Sequence, residues 1–416
     1  MPALHKPSSQ ERLLLYTLAA LQFTLIMDFM IIMPLGSHLI RAFAITPAGF
    51  GFLIAAYGIA AGVIGFLGGF FIDRFNRRNA LLVLYAGFTL SSLACAFAPT
   101  YQFLLIARIA AGAFGGICGS VLTAMIGDAV PPERRGSATG TVMVAVPLCS
   151  VIGLPAGLVM ASWWGWHSTF FFLSALCLVM LVGALKILPL VPSHQTGAHP
   201  MRQMWNIVAH RIHLRAFLLR ASLVFSGSCV MPFMAPSMVY NVGLNEHTQI
   251  PMLYMLGGIL TFFTIPWFGR LSDRFDKVNV LICVAAVGIP VLLIMTRLGP
   301  GPLTITYTVT TLIFICMSGR FTPIMALITN AVEPKYRGGF MSVNSSVQFT
   351  VGSLGNIVAG MLIVMGDDGR LHGYPTAGWI SCGAFAATIL FAAWLRKAAP
   401  YAARNHTTQS AAASAL

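Results

Sequence analysis

Charge is scarce in this chain. Asp, Glu, Lys and Arg make up 9% of the 416 residues, and only 11 residues are acidic. A soluble domain carries roughly 25% charged residues. So few charges cannot solvate the surface of a chain this long, which excludes an ordinary water-soluble globule. Paired cysteines are also missing. The eight cysteines sit singly in apolar runs, with no CxxC among them. That excludes a zinc ribbon and a disulfide framework, and leaves small core hydrophobes. No Gly-x-x-x-x-Gly-Lys-Ser/Thr loop occurs, so the chain has no P-loop for ATP. His194, His199, His210 and His213 are irregularly spaced and do not read as a metal site. With no nucleophile constellation either, the chain is expected to be no enzyme and to need no metal or organic cofactor.

Apolar residues are abundant instead, at 57% of the chain, with a mean hydropathy of +0.82. The apolar runs are continuous, which points to helices spanning a bilayer, where every backbone polar group must be satisfied internally. Runs close to the ~20 residues needed to span fall at Leu13–Leu35, Ala48–Phe70, Ala80–Ala98, Tyr101–Ile126, Ala138–Ala161 and His167–Leu190. A second set falls at Phe217–Tyr240, Ile250–Phe268, Asn279–Leu298, Leu303–Ile328, Phe340–Val364 and Thr376–Leu395. The first run is too long for a signal-peptide core and contains Asp28, so it is taken as the first span. The expected fold is an all-α membrane protein of about twelve transmembrane helices. Residues 1–190 would form one six-helix bundle, 191–215 a cytoplasmic linker, and 216–416 a second bundle with a short tail.

The formal net charge of +14 is not read as nucleic-acid binding. With the N-terminus inside, twenty of the 25 Lys and Arg, Arg211, Arg215 and Arg220 among them, fall on the inner side. Arg41, Arg297 and Arg370 fall outside; Arg108 and Arg320 lie within spans. The positive-inside rule therefore predicts cytoplasmic termini.

The two halves repeat. Gly69-Phe-Phe-Ile-Asp73-Arg74-Phe75-Asn76-Arg77 follows the second span, and Gly269-Arg-Leu-Ser-Asp273-Arg274-Phe275-Asp276-Lys277 follows the eighth. Pro132-Glu133-Arg134-Arg135-Gly136 after the fourth span is matched by Pro334-Lys335-Tyr336-Arg337-Gly338 after the tenth. Two matches in register, six spans apart, mean a parallel internal duplication.

Gly69 through Asp73, Arg74, Arg77 and Arg78 resembles the cytoplasmic loop signature of the major facilitator superfamily, with Phe71 and Asn76 replacing the usual Leu and second Gly. The resemblance implies two parallel six-helix bundles and a loop, with its partial copy at Asp273 and Arg274, that ties helix ends together and gates the inward opening. Asp28…Pro34 resembles the first-helix motif of drug:proton antiporters, and Ser150-Val-Ile-Gly153-Leu-Pro155-Ala-Gly157 loosely resembles their fifth-helix motif. The stretch from Gly319-Arg320-Phe to Ser342 is similar to bacterial sugar-efflux and drug-efflux permeases.

Asp28 is the sole carboxylate deep in any predicted span, and an intramembrane Arg needs a partner. Asp28 lies 7 residues before Leu35 and Arg108 lies 7 after Tyr101, so both sit about 10 Å below the outer ends of their helices. The pair is the candidate proton-coupling site: burial favours the neutral acid, a guanidinium the carboxylate. A purely structural ion pair is the alternative. Arg320 either binds carbonyls beside Pro323 or meets an anionic substrate. Asn344, Gln348 and Asn356 on the polar eleventh span, with Tyr57 and other aromatics, are cavity candidates. The expected activity is proton-driven efflux of a small organic compound across the inner membrane. Alternatives are a dedicated exporter of one metabolite such as a siderophore or sugar, proton-coupled uptake, or a non-transporting sensor. Expected partners are the lipid bilayer, the substrate and protons, with no nucleic acid; the chain is expected to be monomeric.

Overall fold

The computed structural model of the chain describes residues 9–72, 75–131, 134–189, 207–333, 336–399 and 402. The expected linker 191–215 lies outside them up to residue 206. Helix α1 (Ser9–Ile31) ends before Pro34, whose missing N–H cannot continue it, and a short α2 (Gly36–Ala42) follows. Then come α3 (Pro47–Ile72), α4 (Arg77–Ala96) and α5 (Tyr101–Ala129). Asn76 caps α4 by accepting from the Arg78 amide, and Thr100 caps α5 by accepting from Phe103. The fifth crossing is broken. It runs through α6 (Arg135–Met143), α7 (Ala145–Leu148), a π-helical turn (Cys149–Gly153) and α8 (Leu154–Trp164). Pro147 and Pro155 supply no N–H to the preceding turns, which makes this register shift inexpensive here. Helix α9 (Trp166–Ile187) closes the first half.

The second half has α10 (Arg211–Ser228) and α11 (Met231–Tyr240), which together form one interrupted crossing. Then follow α12 (Gln249–Arg274), α13 (Lys277–Met295), α14 (Leu303–Ala331), α15 (Arg337–Leu362) and α16 (Tyr374–Ala398). A two-stranded hairpin, β1 (Val364–Met365) with β2 (Leu371–His372), joins the last two helices. Asn241 holds this hairpin, accepting from Leu371 N at 2.7 Å and donating to Leu371 O at 3.0 Å.

Among the described residues, eleven helices are long and apolar enough to cross a membrane. Helix α15, with 26 residues, has the length but carries Asn344, Gln348, Asn356 and several serines. It is the twelfth crossing, and its burial against protein replaces the lipid contact its polarity forbids. Packing repeats between the halves. Helix α5 packs on α3 and α4, as α14 packs on α12 and α13; α9 packs on α1 and α4, as α16 packs on α10 and α13. The duplicated loops therefore belong to a duplicated bundle.

The halves meet along two related seams, α3 against α15 and the fifth crossing against α12. Glycines set both. A Cβ on Gly51 would stand 2.6 Å from the Asn356 carbonyl oxygen and 3.2 Å from Gly360 Cα. A Cβ on Gly258 would stand 2.5 Å from the Ser150 carbonyl oxygen. Small residues let these backbones approach, and van der Waals packing follows. The ridge Gly58, Gly62, Gly65 divides its work: Gly58 and Gly62 face α15, while Gly65 faces Gly116 of α5.

We call the face opposite the chain termini outer, following the basic-residue asymmetry. On this face one apolar core runs through both halves. It joins Leu39, Phe50 and Leu53 to Phe233, Met234, Leu253 and Met295. The inner part of the second half has its own core, around Phe217, Leu281, Ile328 and Phe340. The bundles thus share a core on the outer side, which seals that face, while Phe66 of α3 packs against the inner core of the second half.

Candidate functional site

Helices α1 and α5 bring Asp28 and Arg108 together inside the first half. Both side chains are fully buried. Arg108 NH1 donates to Asp28 Oδ2 at 2.8 Å and to the Asp28 carbonyl at 3.0 Å. Ser92 of α4 donates to Oδ1 at 3.3 Å. The Arg108 guanidinium carbon lies 4.4 Å from the Tyr57 ring centroid, a cation–π contact. Its Nε and NH2 have no hydrogen-bond partner among the described residues. Two of the three guanidinium nitrogens of this buried pair are thus left without a hydrogen bond among the described residues, which offsets part of what the pairing contributes.

Tyr57 leads from this pair toward the seam. Its ring lies 5.5 Å from Phe29, which lies 5.6 Å from Phe349 of α15. An aromatic layer therefore separates Asp28 and Arg108 from the inter-half surface. Beyond it, Gln348 accepts from Arg220 NH2. Asn344 is buried, and its Oδ1 has no partner among the described residues. Asn356 lies elsewhere, in the outer crossing of α3 and α15, also with an unpartnered Oδ1 among the described residues.

Arg320 of α14 is buried and, among the described residues, bonds neither carbonyls nor a carboxylate. NH1 donates to Ser226 Oγ at 2.8 Å, NH2 lies 2.7 Å from Met317 Sδ, and the guanidinium stands 4.6 Å over the Phe385 ring. Arg220, grouped above with the inner-face basic residues, is instead 2% exposed. It lies nine residues inside α10, about 14 Å from the helix start at Arg211. Its only sequence signal was position: it follows Phe217, where the apolar run had already begun.

Two of the loop-signature residues, Asp73 and Arg74, lie outside the described residues, and only the backbone of Gly69 is described. Arg77 pairs with Asp128 at the end of α5 at 3.1 Å. Arg78 donates to the Leu188 and Leu185 carbonyls at 2.8 and 2.6 Å, tying the end of α9. In the second copy Asp273 and Arg274 are exposed. The tie there runs through Asp276, which caps α13 and meets Arg396 of α16 at 3.2 Å. Each of these ties stays within one half, so they brace the inner ends of a bundle.

The outer face has a polar latch between the halves that the sequence reading missed. Arg41 donates to Glu246, His38 Nε2 lies 3.5 Å from the same oxygen, and Tyr240 donates to the Ser37 carbonyl at 3.3 Å. Burial holds His38 below its ordinary value of 6.5. Glu246 pulls the other way but is already engaged by Arg41, while Arg41 and the His247 ring 6.5 Å away oppose a further positive charge. An opened, wetted His38 regains its ordinary affinity for protons. The sealed form thus has full stability above about pH 6.5 and loses it as pH falls through and below that value. Spin labels spanning the outer seam should show a longer-distance population at pH 5.5 than at pH 7.5, and His38→Gln should remove that pH dependence. A distance distribution that ignores pH in the wild type would refute the latch.

These features define a polytopic membrane protein of two parallel six-helix halves. The chain belongs to the Major Facilitator Superfamily, whose sequence profile matches residues 18–316 and again 216–416. An uncharacterized MFS-type transporter, YceJ of Bacillus subtilis (strain 168), is 24% identical over 362 residues, covering 82% of this chain and 87% of that protein. Among solved structures, a D-xylose–proton symporter superposes with a TM-score of 0.73 at 17% identity, covering 92% of this chain and 96% of that one. A bacterial homolog of the human lysosomal transporter Spinster, inward-facing and occupied, gives 0.69 at 18%, covering 95% and 97%. At such identities these structures establish the fold.

Proposed function

We propose that this transporter couples inward proton flow to efflux of a small organic compound by alternating access, as a monomer in the inner membrane with both termini cytoplasmic. The observation that carries this reading is the fully buried Asp28–Arg108 pair. An isolated membrane carboxylate with a single switchable partner is what proton coupling needs. Rocking of the halves about the glycine seams would move α1 against α5. Once Arg108 leaves, only the Ser92 hydrogen bond favours the ionised carboxylate in an apolar interior, and Asp28 takes up a proton. Restoring the pair would release it on the other side. The sealed outer face supports a resting state that loads from the cytoplasm. Superfamily relatives include symporters, so direction needs its own test. In everted vesicles from cells expressing the protein, accumulation of the exported compound should follow the pH gradient and vanish with an uncoupler. Accumulation that an uncoupler leaves unchanged would defeat the proposal. Reporter fusions at Arg404 and beside His199 should both read cytoplasmic; an outer signal at either would overturn the orientation.

A further inference from the structure

The buried cations of the two halves are treated differently. In the first half Arg108 has Asp28. In the second half Arg220 and Arg320 are both buried, and neither has a carboxylate partner among the described residues. Every acidic residue of that half, Glu246, Asp273, Asp276, Glu333, Asp367 and Asp368, lies at a helix end or in a loop. The acceptors offered to the two guanidinium groups are all neutral: Gln348 Oε1, Ser226 Oγ and two methionine sulfurs.

The two groups are neighbours along α14. Arg220 lies against Phe321 and Met325, and Arg320 against Met317. Gly227 of α10 makes room for Arg320: a Cβ there would stand 3.1 Å from NH2. Among the described residues Arg220 Nε has no partner, and neither has Oδ1 of Asn344, one turn from Gln348 on α15. The surroundings reach open space, since Gln348 and Met325 are half-buried and Phe321 is 46% exposed. The arrangement lies on the inner side of the shared outer core.

Two uncompensated positive charges at this depth are strongly unfavourable. Neutral acceptors soften that penalty without removing it. An anion arriving from the cytoplasm would remove it, and would gain bidentate, charge-assisted hydrogen bonds. We infer that Arg220 and Arg320 form the substrate site, and that the exported compound is an organic anion whose acidic group, a carboxylate or a phosphate ester, is held between them. This rests on the carrier reading above and adds the substrate class. It also fits the direction. An inside-negative potential drives an anion outward and a proton inward, so both movements of the exchange run with the field.

The test uses purified full-length protein in detergent, with thermal unfolding as the readout. The probes are benzoate, citrate and glucose 6-phosphate, against glucose, ethidium and sodium chloride at equal ionic strength. At least one organic anion should raise Tm by a few degrees at saturation, and which one responds separates carboxylate from phosphate. Arg320→Gln and Arg220→Gln should weaken that response at least tenfold. Gln348→Glu supplies a built-in counter-ion beside Arg220. It should raise the Tm of the unliganded protein and abolish the response, which keeps the test informative if the arginine variants fold poorly. The inference falls if chloride alone gives the full shift, if only ethidium or glucose acts, if no organic anion acts, or if the arginine variants respond as wild type. An anion that binds through these arginines yet is not moved by everted vesicles would leave the site standing and remove the carrier reading.

Discussion

Asp28→Asn should reduce gradient-driven flux to background while the protein still inserts in the membrane. The amide can accept from Arg108 NH1 but cannot take up and give back a proton. Arg108, fully buried, then lacks its counter-charge. Breaking a buried pair by removing one partner costs about 3–5 kcal/mol, so the variant should also unfold at a visibly lower temperature. The two losses separate. The anion site inferred at Arg220 and Arg320 is in the other half, so binding there should persist in the variant, measured by ligand-induced thermal shift. Wild-type flux in Asp28→Asn would leave the ion pair a brace and nothing more.

Gly51→Leu should hold the outer face open. Gly51 packs against the Asn356 carbonyl oxygen and Gly360 Cα, and Gly360 in turn meets the Pro47 carbonyl oxygen at 3.0 Å from a built Cβ. Backbone stands on both sides, so no flexible side chain can yield. Four added heavy atoms must push α3 from α15 at their outer ends, which breaks the shared core near Phe50 and Phe233, whose rings now meet edge-on at 5.6 Å. Transport should be lost, because the molecule cannot reseal. Cysteines placed at the outer ends of α3 and α15 should become reactive to a membrane-impermeant maleimide. Full activity with unchanged labelling would mean that the seam is not part of the moving interface.

Much of this architecture was legible in residues read alone. Run lengths marked the crossings, and the paired loops at Asp73 and Asp273 marked the duplication. Equal depth brought Asp28 and Arg108 together, because one membrane carboxylate and one nearby arginine left few alternatives. Arg220 was obscured by company: it ends a run of basic residues that looks like a topology signal, and only packing reveals which member turns inward. The latch of Arg41, His38 and Glu246 was hidden for a related reason. Arg41 and Glu246 lie 205 positions apart, one on the seven-residue α2 and the other in the loop before α12, segments too short to carry a periodic signal. The π-helical turn at Cys149–Gly153 also escaped. Prolines mark a weak helix, but the close approach of Gly258 to the Ser150 carbonyl within that turn is a tertiary contact. The glycines of α3 stand at helical spacing in the sequence, yet their change of partner from α15 to α5 is a tertiary fact.

The most direct test of proton exchange at Asp28 is proton release from the purified protein on ligand addition. In weakly buffered detergent solution, an organic anion that raises Tm should release protons from the wild type near the pH at which Asp28 exchanges its own. Asp28→Asn should bind the same anion and release none beyond the dilution control. If Asp28→Asn binds the anion and releases protons as the wild type does, coupling resides elsewhere in the molecule and Asp28 is only a structural partner for Arg108.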